Sequence, residues 1–241
     1  MVGSNVVIDA FTDLAPRYEA AMDRELRELW GLSYKGFLDR LVETVPVDGS
    51  HVILDVATGT AQIPLTLASL EAPSRAMIGL DITPAMLLQG QANIEASGLN
   101  PKVKLVLASA MGMPFAESTV DVVVCGLGMH HLDVPRALSE IRRVLRIGGQ
   151  IVIACVGAPS LWRSSIGGVL IRGATFIYSQ ANKSARAQAE AEAVPNIRTV
   201  TEWQELLSDF GFAAIEIVTR FTGRRLWYPG ALLLRGVKSV G

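Results

Sequence analysis

Five short apolar runs, separated by stretches with helix signals, constrain this chain more than any other feature. Residues 52–57 (VILDVA), 76–80 (AMIGL), 103–107 (VKLVL), 120–125 (VDVVVC) and 150–156 (QIVIACV) read as strands. Most are almost continuously apolar, as strands buried on both faces are. Between them, Thr83-Pro84 ahead of 85–97 supplies an N-cap followed by proline at the first helical position. Residues 133–145 carry Leu138, Ile141, Val144 and Leu145 at helical spacing. Arg142, Arg143 and Arg146 close that stretch, and Gly148-Gly149 is its expected stop. Such alternation predicts an α/β fold, a parallel sheet with helices on both faces.

The flanks complete a single domain over 1–241. Residues 1–48 form an N-terminal helical cover, with Trp30, Phe37, Leu38 and Leu41 among charges. Residues 49–156 are the ligand-binding core. The long interruption at 157–200 is where a lid over a substrate belongs. Residues 201–241 give a helix ended by Gly211 and a hairpin of strands at 213–220 and 229–238.

Composition removes several classes. Net charge is −1, which argues against a general nucleic-acid binder. The longest uncharged run, 147–162, contains three glycines and a proline, so no integral membrane segment is expected. No basic head precedes an apolar run at the N-terminus, and a cytoplasmic protein is expected. Cys125 and Cys155 lack metal-ligand spacing, and with three histidines no metal is expected. Residues 1–154 hold 12 basic and 17 acidic side chains, residues 155–241 hold 10 and 6. A slightly basic lid would suit an anionic substrate or peripheral contact with a membrane surface; ordinary surface variation is the plainer account.

The most informative loop follows the first run, in Asp55-Val56-Ala57-Thr58-Gly59-Thr60-Ala61. Small residues let a ligand approach the backbone, and the loop lies at the carboxyl end of a parallel strand. Asp81 ends the second strand, where a carboxylate accepts hydrogen bonds from two vicinal ribose hydroxyls. Ile82 can pack on an adenine face. A dinucleotide would want G-x-G-x-x-G, of which only Gly59 remains, and Asp55 would repel a pyrophosphate. A cationic ligand part suits Asp55 better, so the local chemistry favours S-adenosyl-L-methionine over NAD.

In combination these segments resemble the class I S-adenosylmethionine-dependent methyltransferases. ILDVATGTA resembles that family's first motif, IGLDITPAML the second and LASAMGMPF the third. The long run VDVVVCGLGMHHLDVPRALSEIRRVLRIGGQIVIA resembles the stretch over its fourth and fifth strands. AFTDLAPRYEAAMDREL and ALLLRGVKS resemble the two ends of the ubiquinone/menaquinone C-methyltransferase group. The resemblance implies a Rossmann-like seven-stranded, mostly parallel sheet with an antiparallel last strand. It implies cofactor contacts from Tyr18, Asp55, Ala57, Thr58, Gly59, Asp81, Ile82, Met86, Ser109, Ala110 and Cys125. Three positions depart from the family pattern. Ala61 replaces the last glycine of the first motif. Ser109 stands where an Asp often accepts the adenine amino group, and serine is the weaker acceptor. Gly126-Leu127-Gly128-Met129-His130-His131 replaces a Gly-Leu-Arg-Asn type sequence and is the commoner pattern of small-molecule methyltransferases.

Methyl transfer from a sulfonium needs alignment and exclusion of water, and a base only when the acceptor must lose a proton. His130 and His131, after the fourth strand, are the candidate bases, with His130 placed first; helix capping or loop packing is the alternative. Asp133 reads as an N-cap. Trp162, Arg163, Arg172, Phe176 and Tyr178 suggest a lid suited to a greasy acceptor with an anionic group. The expected function is methyl transfer to carbon or oxygen of a small apolar or aromatic metabolite, with a homodimer as the candidate assembly. The alternatives are a non-catalytic or repurposed cofactor-binding protein on the same fold, and an NAD(P)-dependent oxidoreductase.

Overall fold

The computed structural model describes residues 4–70, 75–99, 102–165, 167, 168, 170, 171, 173, 184–221 and 228–240. Arg172, Phe176 and Tyr178 of the expected lid lie outside the described residues. Seven strands form one sheet: β1 (Val52–Val56), β2 (Ala76–Asp81), β3 (Val103–Leu107), β4 (Val120–Gly126), β5 (Leu145–Gly157), β6 (Phe212–Phe221) and β7 (Gly230–Lys238). Their order is β3-β2-β1-β4-β5-β7-β6. The first five pair in parallel, and β7 runs antiparallel to both β5 and β6.

Period-two burial explains why the apolar runs are continuous. On β4, Val123 and Cys125 enter one core while Val122 and Val124 enter the other. On β5, Ile151, Ile153 and Cys155 face the first core, Val152 and Ala154 the second. The first face is covered by α6 (Val134–Val144) and α8 (Val200–Asp209), which contribute Leu138, Ile141, Trp203 and Leu207. The second is covered by α3 (Tyr34–Glu43), α4 (Gln62–Ala68) and α5 (Pro84–Ser97), through Leu41, Leu67 and Ile94. Ahead of the sheet run α1 (Ser4–Leu14) and α2 (Tyr18–Trp30); α7 (Ala185–Ala193) lies between β5 and α8 and packs on α1.

Two local readings need correction. The helix expected over 133–145 ends at Val144, ahead of the glycine pair, because Leu145 is already extended at φ −67°, ψ 139°. The Ser118 and Thr119 N–H groups hydrogen-bond the Arg143 and Val144 carbonyls there, which closes the helix and starts β5. Thr83 occupies the N-cap position of α5, but its hydroxyl makes no capping bond. The Thr83 N–H instead donates to Asp81 Oδ1 at 2.8 Å.

The order of strands reverses between β1 and β4. Chain segments leaving these two strands go opposite ways and open a crevice at their carboxyl ends, the usual ligand position in such sheets. No helix among the described residues is long and apolar enough to cross a membrane.

Candidate active site

A cavity occupies that crevice. Its walls come from the loops after β1, β2, β3 and β4, from α1 through Val7 and Phe11, and from Tyr18 at the start of α2. Of the expected contacts, Tyr18, Ala57, Gly59, Asp81, Ile82, Met86, Ser109 and Ala110 line it. Asp55, Thr58 and Cys125 do not. The Cys125 thiol is fully buried in the core of the first face, and burial pushes its pKa up. Its neighbours Gly126 and Leu127 reach the cavity instead.

The loop after β1 is held in left-handed backbone conformations, with φ +58° at Ala57, +55° at Gly59 and +64° at Ala61. An L-residue there costs roughly 1–2 kcal/mol, so Ala57 and Ala61 store strain at the site. At Gly59 a Cβ would meet no protein atom within 4 Å, leaving the backbone open to the cavity. At Gly128 a Cβ would lie 2.6 Å from the Ala57 Cβ, so this glycine lets the loops after β1 and β4 come together.

Two carboxylates flank the loop. Asp81 accepts from the Gly59 and Thr83 N–H groups, each at 2.8 Å, which leaves lone pairs on both oxygens for further donors. Burial raises its pKa, against those hydrogen bonds. Asp55 is 1% exposed, and neither of its oxygens has a hydrogen-bond partner; the Thr58 hydroxyl is unpaired too. Burial pushes the Asp55 carboxyl up to about 8, with a smaller opposing effect from Thr58. A buried carboxyl left this way asks for a cationic or donor partner.

Tyr18 is buried near Asp81, and both effects raise its pKa. Its ring meets Tyr34 edge-on at 6.1 Å. The adjacent Glu19 accepts from Gln62 and Asn93 at 3.1 Å each, which ties α2 to α4 and α5. Ser109 Oγ accepts from the Met111 N–H at 3.2 Å.

The histidines occupy a 3-10 turn, Met129–His131. His131 lines the cavity; His130, placed first from sequence, does not. Burial lowers the pKa of both, so both rings are neutral near pH 7. Asp133 caps α6 by accepting from the Arg136 N–H at 3.3 Å, as expected, and both residues also line the cavity. Arg163, expected to face an anionic acceptor, is committed to Glu202 at 2.6 Å.

Sequence reading missed Val7 and Phe11, although their spacing of four puts them on one helical face. It also missed Glu190, which α7 brings against both histidines; nothing in its Ala/Glu-rich surroundings marked it.

Comparison with known proteins places this geometry. The model of the ubiE/COQ5 methyltransferase family matches residues 2–166. A demethylmenaquinone methyltransferase of Symbiobacterium thermophilum is 35% identical over 154 residues, 64% of this chain and 60% of that one. A ubiquinone/menaquinone biosynthesis C-methyltransferase UbiE of Geobacter sp. (strain M21) is 31% identical over 153 residues, 63% of each chain. The matched region thus spans about 60% of the length of these curated relatives. Among solved structures, the [4+2]-cyclase SpnF superposes with a TM-score of 0.72 at 18% identity, over 98% of this chain and 96% of that one, a likeness of fold.

Proposed function

The chain belongs to the ubiE/COQ5 methyltransferase family, and from that premise we propose that its crevice binds S-adenosyl-L-methionine and transfers the methyl group to a small aromatic or apolar acceptor. Bound there, the cofactor supplies a methyl group on a sulfonium and leaves as a neutral thioether. The observation that carries this reading is that Gly59, an open backbone position, and Asp81, a carboxylate with lone pairs to spare, meet on the cavity wall, with the unpartnered Asp55 carboxyl buried behind their loop. The first two suit close approach to backbone and a ribose, and the Asp55 charge favours a cationic amino-acid portion from behind the wall.

The remaining wall residues divide by chemistry. Ile82, Met86, Ala110 and Met111 offer an apolar slot for the adenine, with Ser109 as a neutral acceptor at its edge. Thr58 and Cys125, off the wall, support the loop rather than the ligand. Val7 and Phe11 of the cover, with Leu127, Leu132 and His131, surround the space left for the acceptor. The segment 157–200 acts as its lid, with α7 as the part that meets the cover. Phenols, quinols and hydroxylated natural products fit this lining, and His131 is the group able to take their proton.

Calorimetric titration with S-adenosyl-L-methionine and with S-adenosyl-L-homocysteine tests the reading. Micromolar binding of both is expected. Ser109→Asp supplies a charged acceptor for the adenine amino group and should tighten both by about 1–2 kcal/mol, roughly tenfold. A folded protein that binds neither ligand, with or without that substitution, would overturn the proposal; NAD binding would then revive the oxidoreductase alternative.

A further inference from the structure

Glu190 of α7 stands where two buried imidazoles meet. Its Oε1 lies 3.8 Å from His131 Nε2 and its Oε2 lies 4.0 Å from His130 Nε2. One donor atom from each of the three residues falls within 4.8 Å of the others. The two ring centroids are 4.1 Å apart and the planes are inclined at 41°. The turn that carries them is fixed from outside, since Asn196 Nδ2 donates to the His130 and Leu132 carbonyls at 3.1 Å each. Phe11 of α1 packs edge-on against His131 at 5.2 Å.

The separations say what fits between these groups. A direct hydrogen bond needs about 2.7–3.2 Å, so none is made. One bridging water with two bonds of about 2.8 Å holds its partners roughly 4.6 Å apart. A zinc-sized ion, with bonds of about 2.0–2.2 Å at tetrahedral to trigonal angles, holds its ligands about 3.4–3.6 Å apart. The 3.8 and 4.0 Å separations lie nearer the ion, and the part-exposed Glu190 side chain can close the difference by a small rotation. Two imidazoles and one carboxylate suit zinc and similar nitrogen-preferring divalent ions, and offer too few oxygens for calcium or magnesium. Burial keeps both rings neutral, so each has a lone pair to give. The exposed side of Glu190 is the way in from solvent. Arg186, one turn before Glu190 on α7, is the cation that acts on His131, and Glu25 takes up its charge at 2.5 Å.

We propose that His130 Nε2, His131 Nε2 and the Glu190 carboxylate form a binding site for a zinc-like divalent cation, which fastens α7 to the turn after β4. Spacing along the chain does not mark this site, because its third ligand comes from a helix that reaches the turn only by packing. Three protein ligands leave a fourth position for water. Coordination at Nε2 puts each ring's proton on Nδ1, where a ligating histidine normally donates to an acceptor. Neither Nδ1 has one among the described residues. Affinity therefore falls below that of fully supported zinc sites, and a micromolar Kd is expected. His131 lines the cavity, so the ion stands beside its wall. It takes up the lone pair with which His131 accepts a proton in the reading above, so metal-bound and metal-free chains differ in that step. The site itself does not rest on that reading.

Calorimetric titration of the chelator-treated full chain with zinc chloride tests this. One equivalent should bind with a micromolar Kd. Cobalt(II) should bind the same site and show the visible absorption of a four-coordinate ion. Nitrogen-15 NMR has only three histidines to follow. Zinc should shift His130 and His131 and leave His51, whose Nδ1 lies 3.2 Å from the Pro46 carbonyl oxygen, unchanged. Hydrogen exchange in α7 should slow when zinc is added. Glu190 is part-exposed on an alanine-rich helix, so Glu190→Ala keeps the fold. It should weaken zinc binding by more than the roughly tenfold that loss of a supporting contact alone costs. His131→Gln, checked for folding by circular dichroism, should abolish the one-equivalent binding, and His51→Gln should change nothing. A folded wild-type chain that binds no zinc at concentrations well above micromolar would overturn the proposal. So would binding undiminished in Glu190→Ala or in folded His131→Gln, or lost in His51→Gln, any of which would mean an adventitious ion only.

Discussion

At the scale of single residues, Asp55 is the most exposed to test, because its ionisation is set by what lies beside it. Its usual value is 3.8, and burial without partners pushes it up to about 8 in the free protein. Below about pH 4 it is protonated both folded and unfolded. Between that and about pH 8 the unfolded chain has lost a proton the folded chain keeps, so stability falls as pH rises through this window. Asp55→Asn removes the dependence. Its melting temperature should match wild type near pH 4 and exceed it by a few degrees at pH 8, read by calorimetry. A cationic ligand reverses the preference and ionises the carboxyl. Cofactor binding near pH 6.5 should then release close to one proton per site, measured by titration in buffers of different ionisation heat, and Asp55→Asn should release none.

At the scale of elements, the loop after β1 is a strained connection supported by its neighbours. Its shape needs left-handed backbone at three positions, of which only one is glycine. The family pattern has glycine where this chain has Ala61, and the φ of +64° there shows what that glycine serves. Ala61 is fully buried, so its methyl contributes packing that offsets part of the strain. Gly59 has no such compensation, because the space beside it is the cavity. Gly59→Ala should cost roughly 1 kcal/mol of stability, seen as a small drop in the urea midpoint. It should cost far more in cofactor affinity, because the added methyl points into open space that the ligand needs. Equal, small losses in both would mean that the cofactor does not approach this backbone. The short run from Asp133 to Leu145 teaches a related lesson. Its helical periodicity was plain, but its end was set by β4, whose entrance residues Ser118 and Thr119 capture the last carbonyls.

At the scale of the whole molecule, the N-terminal cover, the lid and the sheet are joined by a few polar ties. Glu19 holds α2 to α4 and α5, Arg186 meets Glu25 at 2.5 Å between α7 and α2, and the Trp30 indole donates to the Pro229 carbonyl at 3.0 Å. Glu19 is next to Tyr18, so it also sets how the cover meets the cavity. Glu19→Ala should leave the sheet intact and weaken cofactor binding several-fold, since the Tyr18 wall loosens. Hydrogen exchange should rise in α1 and α2 while β1, β4 and β5 stay protected; unchanged exchange in the cover would refute the tie.

The sequence by itself determined the seven strands, the ligand end of the sheet and the acidic residues after β1 and β2. These follow from local patterns: buried strands need continuous apolar runs, and a ligand loop needs small residues beside a carboxylate. Only the tertiary structure decided which residues share the cavity. His131 lines it and His130 does not, a difference that two adjacent identical residues cannot express in sequence. Phe11 and Glu190 lie 179 positions apart and meet around one ring because α1 and α7 pack together. Asp55 was legible as an acid, but its lack of a partner was not, because an orphan charge is a property of everything packed around it.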